Sequence, residues 1–308
     1  MILTVCPNPS IDCTIELDSL NVGMLNKIQN KVETYSGKAL NVAIGVSRLG
    51  GKCKSIGFMF ENHRRMFEHV LEKEGVSYQF VSAEGNARVN YKIIDKRSML
   101  TEINDRGGFV DQNLQSQLLD VIENESKNAS IVVMSGSLPK GVSSEFYGRA
   151  VERINKNAKI ILDTEKENML GALGQREVFM VKPNLKELEN FAGVTVNNKH
   201  EIASACKKYI ELGVKYVLVS LGADGAILTD GNKNYYCKSA NVAVNSTVGA
   251  GDSMVAATCV ALESGVSLTE LLKCAVSAGT AAVTTSGTNL FYKDKYDEIY
   301  SKIYVEEF

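Results

Sequence analysis

Along the chain, short runs of apolar, mostly β-branched residues bounded by Gly, Asn or Asp alternate with longer segments whose apolar residues recur at helical spacing. This alternation is the signature of parallel strands joined by crossover helices. Six runs, 2–5, 52–58, 131–135, 159–163, 178–181 and 216–220, are almost continuously apolar, as strands buried on both faces must be. Amphipathic periods predict helices over 41–49, 65–74, 114–122 and 202–212, and from about Ser246 the pattern is helical to the end, over 250–264, 268–285 and 293–303. The expected fold class is α/β, a doubly wound and mostly parallel sheet flanked by helices.

Two stretches break the rhythm. Residues within about 13–33 and 87–104 alternate polar and apolar side chains without a helical period, as half-exposed antiparallel strands do. Contributed from separate places, they predict either a small sheet that closes over a site as a lid or two hairpins at a sheet edge. The 308 residues suit one such α/β domain carrying this appendage, with no linker, repeat or low-complexity segment.

Composition narrows the function classes. Apolar residues at 44% and charged residues at 23% exclude a disordered or fibrous chain. Basic residues are interspersed with acids instead of forming a patch, which argues against nucleic acid as a partner. No apolar run approaches the length needed to span a bilayer, so no membrane association is expected. Seven cysteines without a C-x-x-C pair read as buried thiols in a reducing compartment, and a cytoplasmic location is expected. His63, His69 and His200 lack ligand spacing and read as surface residues.

The strongest local chemical signal is Thr247-Val248-Gly249-Ala250-Gly251-Asp252-Ser253, which opens an Ala-rich helical segment. Glycines at a helix start let backbone N–H groups approach an anion, and the dipole there favours negative charge. An aspartate at the end of such a cradle is a poor phosphate ligand but a suitable base for an attacking hydroxyl. A plain helix N-terminus with Asp252 in its first turn accounts for the same residues. A dinucleotide fingerprint is excluded because Met254 stands where its third glycine belongs. A Walker A loop is excluded because the span from Gly45 to Lys52 has one residue too many and ends in Cys53.

Other segments resolve the ambiguity. Asn8-Pro9-Ser10-Ile11-Asp12, Ser36-Gly37-Lys38-Ala39-Leu40-Asn41-Val42-Ala43, Gly136-Ser137-Leu138-Pro139, Lys182-Pro183-Asn184 with Glu187, Ser220-Leu221-Gly222-Ala223-Asp224-Gly225 and the stretch 246–254 follow one another in the chain. Together they resemble the motifs of the PfkB (ribokinase-like) sugar kinases, in order and over nearly the whole length. The resemblance implies a kinase that uses ATP and Mg²⁺ to phosphorylate a hydroxyl of a small-molecule substrate. Three branches share the motif set: 1-phosphofructokinase, tagatose-6-phosphate kinase and the minor 6-phosphofructokinase. Arg88-Val89-Asn90-Tyr91-Lys92 and Thr101-Glu102-Ile103-Asn104 resemble the first branch, which implies fructose 1-phosphate as the substrate and fructose 1,6-bisphosphate and ADP as products. A non-catalytic sensor of phosphosugar and nucleotide is the alternative from a different class.

The resemblance also implies roles. Asp252 is the base, with Gly249, Ala250 and Gly251 around the transferring phosphoryl group. Asp12, Gly37, Asn41, Asn90 and Ser137 are expected on the sugar, and Lys38, Arg88 and less firmly Arg106 on the phosphate it already carries. Lys182, Asn184, Ser220, Gly222, Gly225 and Ser277 are expected on the nucleotide, with Gly251 shared and Gly279 beside Ser277. Glu187 is expected on Mg²⁺ through water, since that ion commonly keeps several waters. The sequence departs from the family pattern at Ser36 and Ala39, which replace glycines, at Phe60 and His63, and at Glu165-Lys166. These positions bear on the substrate more than on the reaction. A homodimer through the lid is expected, because a sheet with one apolar face invites pairing.

Overall fold

The computed structural model describes residues 1–285, 287 and 289–308. Among these, the strands form a ten-stranded sheet and a separate four-stranded sheet. The large sheet runs Val305–Glu307, Asn234–Cys237, Ala226–Thr229, Val214–Ser220, Val178–Val181, Lys159–Asp163, Ile131–Ser135, Ile2–Cys6, Cys53–Phe60, Ser77–Ala83. From Val214–Ser220 to Ser77–Ala83 every neighbouring pair is parallel, and the three strands at the other edge are antiparallel.

The central strands are apolar for a simple reason: helices cover both faces. Ile2–Cys6 and Ile131–Ser135 are buried at every position. Helix Lys38–Arg48 packs on Ile2–Cys6 and Cys53–Phe60, and on helix Ala250–Glu263, which packs in turn on Leu268–Ala282. Helix Gln112–Ser126 lies on the same strands and packs on Glu145–Arg153. The first helix pair comes unusually close. A Cβ on Gly45 would stand 2.6 Å from that of Ala256, so only glycine permits this approach. Gly45 lies one turn after Asn41 and Ala256 one turn after Asp252, so the contact sets the register between those two polar side chains.

The small sheet has the order Asn30–Ser36, Ser10–Leu17, Arg88–Asp95, Leu100–Asn104. Its outer pairs are antiparallel as expected, but Ser10–Leu17 and Arg88–Asp95 run parallel. They come from distant parts of the chain with no hairpin between them, so nothing forces them to oppose. Register places Asp12 beside Asn90 and Asn90 beside Asn104, with Cys13, Tyr91 and Ile103 on the next row. Alternation therefore gives the sheet one polar face and one apolar face.

Several elements depart from the sequence reading. The C-terminal segment is not helical throughout, because Val305–Glu307 adds a strand beside Asn234–Cys237. The last helices stop at Ala282 and Tyr300. The structure adds helices Glu145–Arg153, Lys166–Ala172 and Leu185–Ala192 and strand Ser77–Ala83 to the expected elements. All seven cysteines are free, six of them buried. His69 and His200 are exposed, whereas His63 is half-buried with an unpartnered Nδ1. No helix among the described residues is long and apolar enough to cross a membrane.

Candidate active site

Parallel strands end at one edge of their sheet, and ligands of open α/β sheets bind outside those carboxyl ends. Here Ser135, Asp163, Val181 and Ser220 close four neighbouring strands. The loops that follow them, the small sheet and the N-termini of Lys38–Arg48 and Ala250–Glu263 enclose one cleft of about 1590 Å³. Every residue expected on sugar, nucleotide, metal or transferring phosphoryl group lines it, with the exception of Ser277. Ser277 is fully buried and its hydroxyl donates to the Lys273 carbonyl at 2.7 Å. On that helix Val276, Gly279 and Thr280 face the cleft instead.

At one end of the cleft, Gly249 has φ +77° and begins helix Ala250–Glu263 without a side-chain cap. The first N–H groups of the helix are thus left for an external acceptor. Asp252 sits in this first turn, 7% exposed, and its Oδ2 accepts from Asn41 Nδ2 at 2.7 Å. Burial pushes Asp252 up to about 6, against the attraction of Lys38. A carboxylate poised there is ionised at neutral pH yet more basic than an exposed one.

Behind it lies Asp163, given no role by sequence reasoning, between two lysines that were. Asp163, 2% exposed, accepts from Lys38 Nζ at 3.4 Å and lies 3.5 Å from Lys182 Nζ. Burial alone would raise its pKa, but the ammonium groups of Lys182 and Lys38 more than offset this and hold it below the usual carboxylate range. Lys38 is raised in turn, chiefly by Asp163. Lys182 is seated by the sheet itself, its N–H donating to the Leu162 carbonyl at 3.1 Å. Gly251 leaves room for it, since a Cβ there would meet Lys182 Nζ at 3.0 Å. The available signal for Asp163 was its place as the last residue of a buried strand.

The residues expected on the nucleotide share backbone contacts. Ser220 N–H donates to the Pro183 carbonyl at 3.0 Å, which ties the two strand ends together. Asn184 caps helix Leu185–Ala192 in a capping box, and Glu187 Oε2 accepts from Asn184 N–H at 2.8 Å. Gly225 is required by the hairpin, because a Cβ would lie 1.9 Å from the Cys237 carbonyl oxygen, whereas the space at Gly222 is open. The turn therefore serves the fold at Gly225 and borders the cleft at both glycines.

The lid side is differently equipped. Asp12 accepts from Asn90 Nδ2 at 3.0 Å and pairs with Lys92 at 3.7 Å. Asn8 Nδ2 donates to the Arg106 carbonyl at 3.1 Å and to Ser137 Oγ at 3.3 Å. Arg88 Nε, Asn90 Oδ1 and Asn8 Oδ1 are buried without a hydrogen-bond partner. Burial lowers the pKa of Arg88 despite nearby Cys6 and Asp12. Buried polar groups left unpaired are costly, so this end is built to receive an acceptor at Arg88.

The departures from the family pattern are also placed. Ser36 Oγ donates to Asn41 Oδ1 at 3.2 Å. Ala39 is fully buried. Phe60 packs against Gly108, where a Cβ would meet its ring at 2.2 Å. Glu165 lines the cleft, and Lys166 turns away to the Asn190 carbonyl.

Comparison with known proteins matches residues 8–295 to the pfkB family of carbohydrate kinases. The chain is 31% identical over 283 residues to the 1-phosphofructokinase of Borreliella burgdorferi, covering 91% of both chains. It is also 31% identical over 315 residues to the tagatose-6-phosphate kinase of Staphylococcus epidermidis, covering 100% of both. The crystal structure of Escherichia coli phosphofructokinase-2 with potassium superposes with a TM-score of 0.90 at 28% identity, over 97% of this chain and 98% of that one.

Proposed function

Because the chain belongs to the PfkB family of carbohydrate kinases, and so is a phosphotransferase acting on a sugar hydroxyl, we propose that it transfers the γ-phosphoryl group of ATP to fructose 1-phosphate. The observation that carries the chemistry is the buried Asp252, held by Asn41 at an uncapped helix N-terminus beside Lys38 and Lys182. Asp252 takes the proton of the attacking hydroxyl. The N–H groups of Gly249, Ala250 and Gly251, with Lys182, are aimed at charge on the transferring group, the kind of preorganised interaction that usually contributes most to catalysis. Lys38, expected on the sugar phosphate, is proposed for this end as well, since its ammonium is paired with Asp163 and coupled to Asp252.

Asp12, Gly37, Asn41, Asn90 and Ser137 are proposed around the sugar hydroxyls, and Arg88 on its phosphate, supported by the orphaned Nε. Asn184, Ser220, Gly222 and Gly225 are proposed along the nucleotide. Glu187 offers a hard oxygen donor at the cleft wall. That fits Mg²⁺, which retains waters and takes oxygens from nucleotide phosphates; Glu187 would hold it through water, and the ion would offset phosphate charge. The substrate choice rests on the resemblance of 88–92 and 101–104 to the 1-phosphofructokinase branch and on relatives of that name. Tagatose 6-phosphate is the second reading, supported by the equally identical relative.

The deciding experiment is ADP release with fructose 1-phosphate, fructose 6-phosphate, tagatose 6-phosphate and free fructose, compared by kcat/KM. Preference for fructose 1-phosphate is expected. Activity on free fructose alone would rule out a phosphate clamp, and binding without turnover would leave a sensor. A cytoplasmic homodimer through the lid is proposed as well, on the strength of exposed Tyr91 and Ile103 on the row of the small sheet opposite its polar face. Light scattering should give twice the mass of the chain, falling to the monomer in I103E.

A further inference from the structure

Ser36 ends the lid strand Asn30–Ser36, is 2% exposed, and stands where the family pattern has a glycine. A buried hydroxyl introduced beside an active site needs a partner, and the one it has is Asn41 Oδ1 at 3.2 Å. The other end of the same amide donates to Asp252 Oδ2 at 2.7 Å. Three side chains from three elements, a lid strand and two helices of the main body, thus form one buried chain of hydrogen bonds. We propose that Ser36 is a positioning residue for the base, fixing the Asn41 amide so that Nδ2 stays on Asp252 Oδ2 and Oδ1 of Asp252 is left for the substrate hydroxyl.

The physical case has two parts. An amide can rotate to exchange its oxygen and nitrogen, and only its partners determine which end faces where. An ionised carboxylate accepts only, so Nδ2 must face Asp252, and a hydroxyl donating to Oδ1 completes that arrangement. The donors then run in one direction, Ser36 to Asn41 to Asp252, and each bond polarises the next toward the negative charge. Removing the first donor leaves Asn41 Oδ1 buried and unpaired, and weakens the stabilisation of the Asp252 carboxylate. The other groups acting on Asp252 are Lys38, from the start of the helix that carries Asn41, Asp163 from its strand end, and Lys182 from the neighbouring one. None of them is bonded to Ser36, so its hydroxyl acts on Asp252 through Asn41.

This inference rests on Asp252 being the base, and its test reads the carboxylate directly so that the two can fail separately. The full chain is labelled with [¹³Cγ]aspartate, the Asp252 resonance is assigned by its loss in D252N, and its titration midpoint is compared across variants. In S36A and S36G the midpoint is expected to rise by about half a pH unit, while S36T keeps the hydroxyl and the wild-type midpoint. In turnover, kcat on the acid side of the profile should fall about threefold with S36A, with kcat above pH 8 and both KM values unchanged. A general packing defect would lower kcat at every pH. Where alanine unsettles the strand end, S36C is the second test: similar in size and a poor donor, it should also raise the midpoint. Midpoints of folded S36A, S36G and S36C all within about 0.1 of wild type would overturn the proposal. Failure of the wild-type protein to turn over any phosphosugar would instead remove the kinase reading, leaving the titration to judge Ser36.

Discussion

The two ends of the cleft satisfy their polar groups in opposite ways. At the Asp252 end the buried carboxylates are held by neighbours: Asp163 lies between the half-exposed Lys38 and the buried Lys182, and Asp252 is bonded to Asn41. At the lid end Arg88 Nε, Asn90 Oδ1 and Asn8 Oδ1 are buried with no partner. Internal pairing fixes geometry before substrate arrives, which suits groups that must act on a transition state. An unpaired buried donor gains most when an anion arrives, which suits a group that must discriminate. On the proposed roles the first end suits reaction and the second selection, and variants at each should separate kcat from KM.

The largest effect is expected at Asp252. D252N removes the proposed base and should lower kcat at least about a hundredfold, with ATP affinity within twofold by calorimetry. A loss of less than about tenfold would break the assignment. The same substitution should stabilise the fold. Asp252 rises from its ordinary 3.8 to about 6, so its protonated form favours folding below pH 3.8, and this contribution is lost as pH rises through 6. At pH 7 the ionised, buried group costs on the order of 3 kcal/mol, which a neutral amide avoids. Scanning calorimetry should show a higher Tm for D252N at pH 7 and no difference near pH 4.

At the Arg88 end, R88A should raise KM for the phosphosugar by roughly tenfold to a hundredfold, the equivalent of about one hydrogen bond to a charged group. Free fructose, which has no phosphate to lose, should bind as weakly to the variant as to the wild type. An equal change for both substrates would mean that Arg88 shapes the site without gripping phosphate.

The contrast between the ends also explains what could be read from the chain. The cradle 247–253 was legible because glycine beside aspartate at a helix start has few physical uses. The six buried strands were legible because two-sided burial leaves no polar positions. Asp163 was not, because one carboxylate ending an apolar run looks like any strand terminator. Its partners are 125 residues before it at Lys38 and 19 after it at Lys182, and only parallel packing brings them together. The small sheet was legible as two alternating stretches, since alternation reports faces. The parallel pairing of Ser10–Leu17 with Arg88–Asp95 was not, since alternation says nothing of direction. Ser36 registered as an oddity in a glycine pattern, and its use appeared once Asn41 lay between it and Asp252.

The smallest expected effect concerns helix Leu268–Ala282, where small residues on every side hide which face borders the nucleotide. The helix packs on Ala250–Glu263 and on Lys293–Tyr300, and the sequence pointed to Ser277 and Gly279 there, with Thr280 given no role. The fold distinguishes Ser277 from Thr280: Ser277 Oγ is bonded to Lys273 within its own helix, while Thr280 borders the cleft and its Oγ1 is buried without a partner. S277A should therefore change KM for ATP by less than about twofold, since the bond it removes is local and the alanine fills nearly the same space. T280V keeps the shape but deletes the unpaired hydroxyl; a severalfold rise in KM for ATP is expected if that hydroxyl meets the nucleotide, as a neutral hydrogen bond contributes about 1 kcal/mol. The reverse ranking, S277A weaker and T280V unchanged, would put the nucleotide on the other face of the helix and move the boundary between the two ends of the cleft.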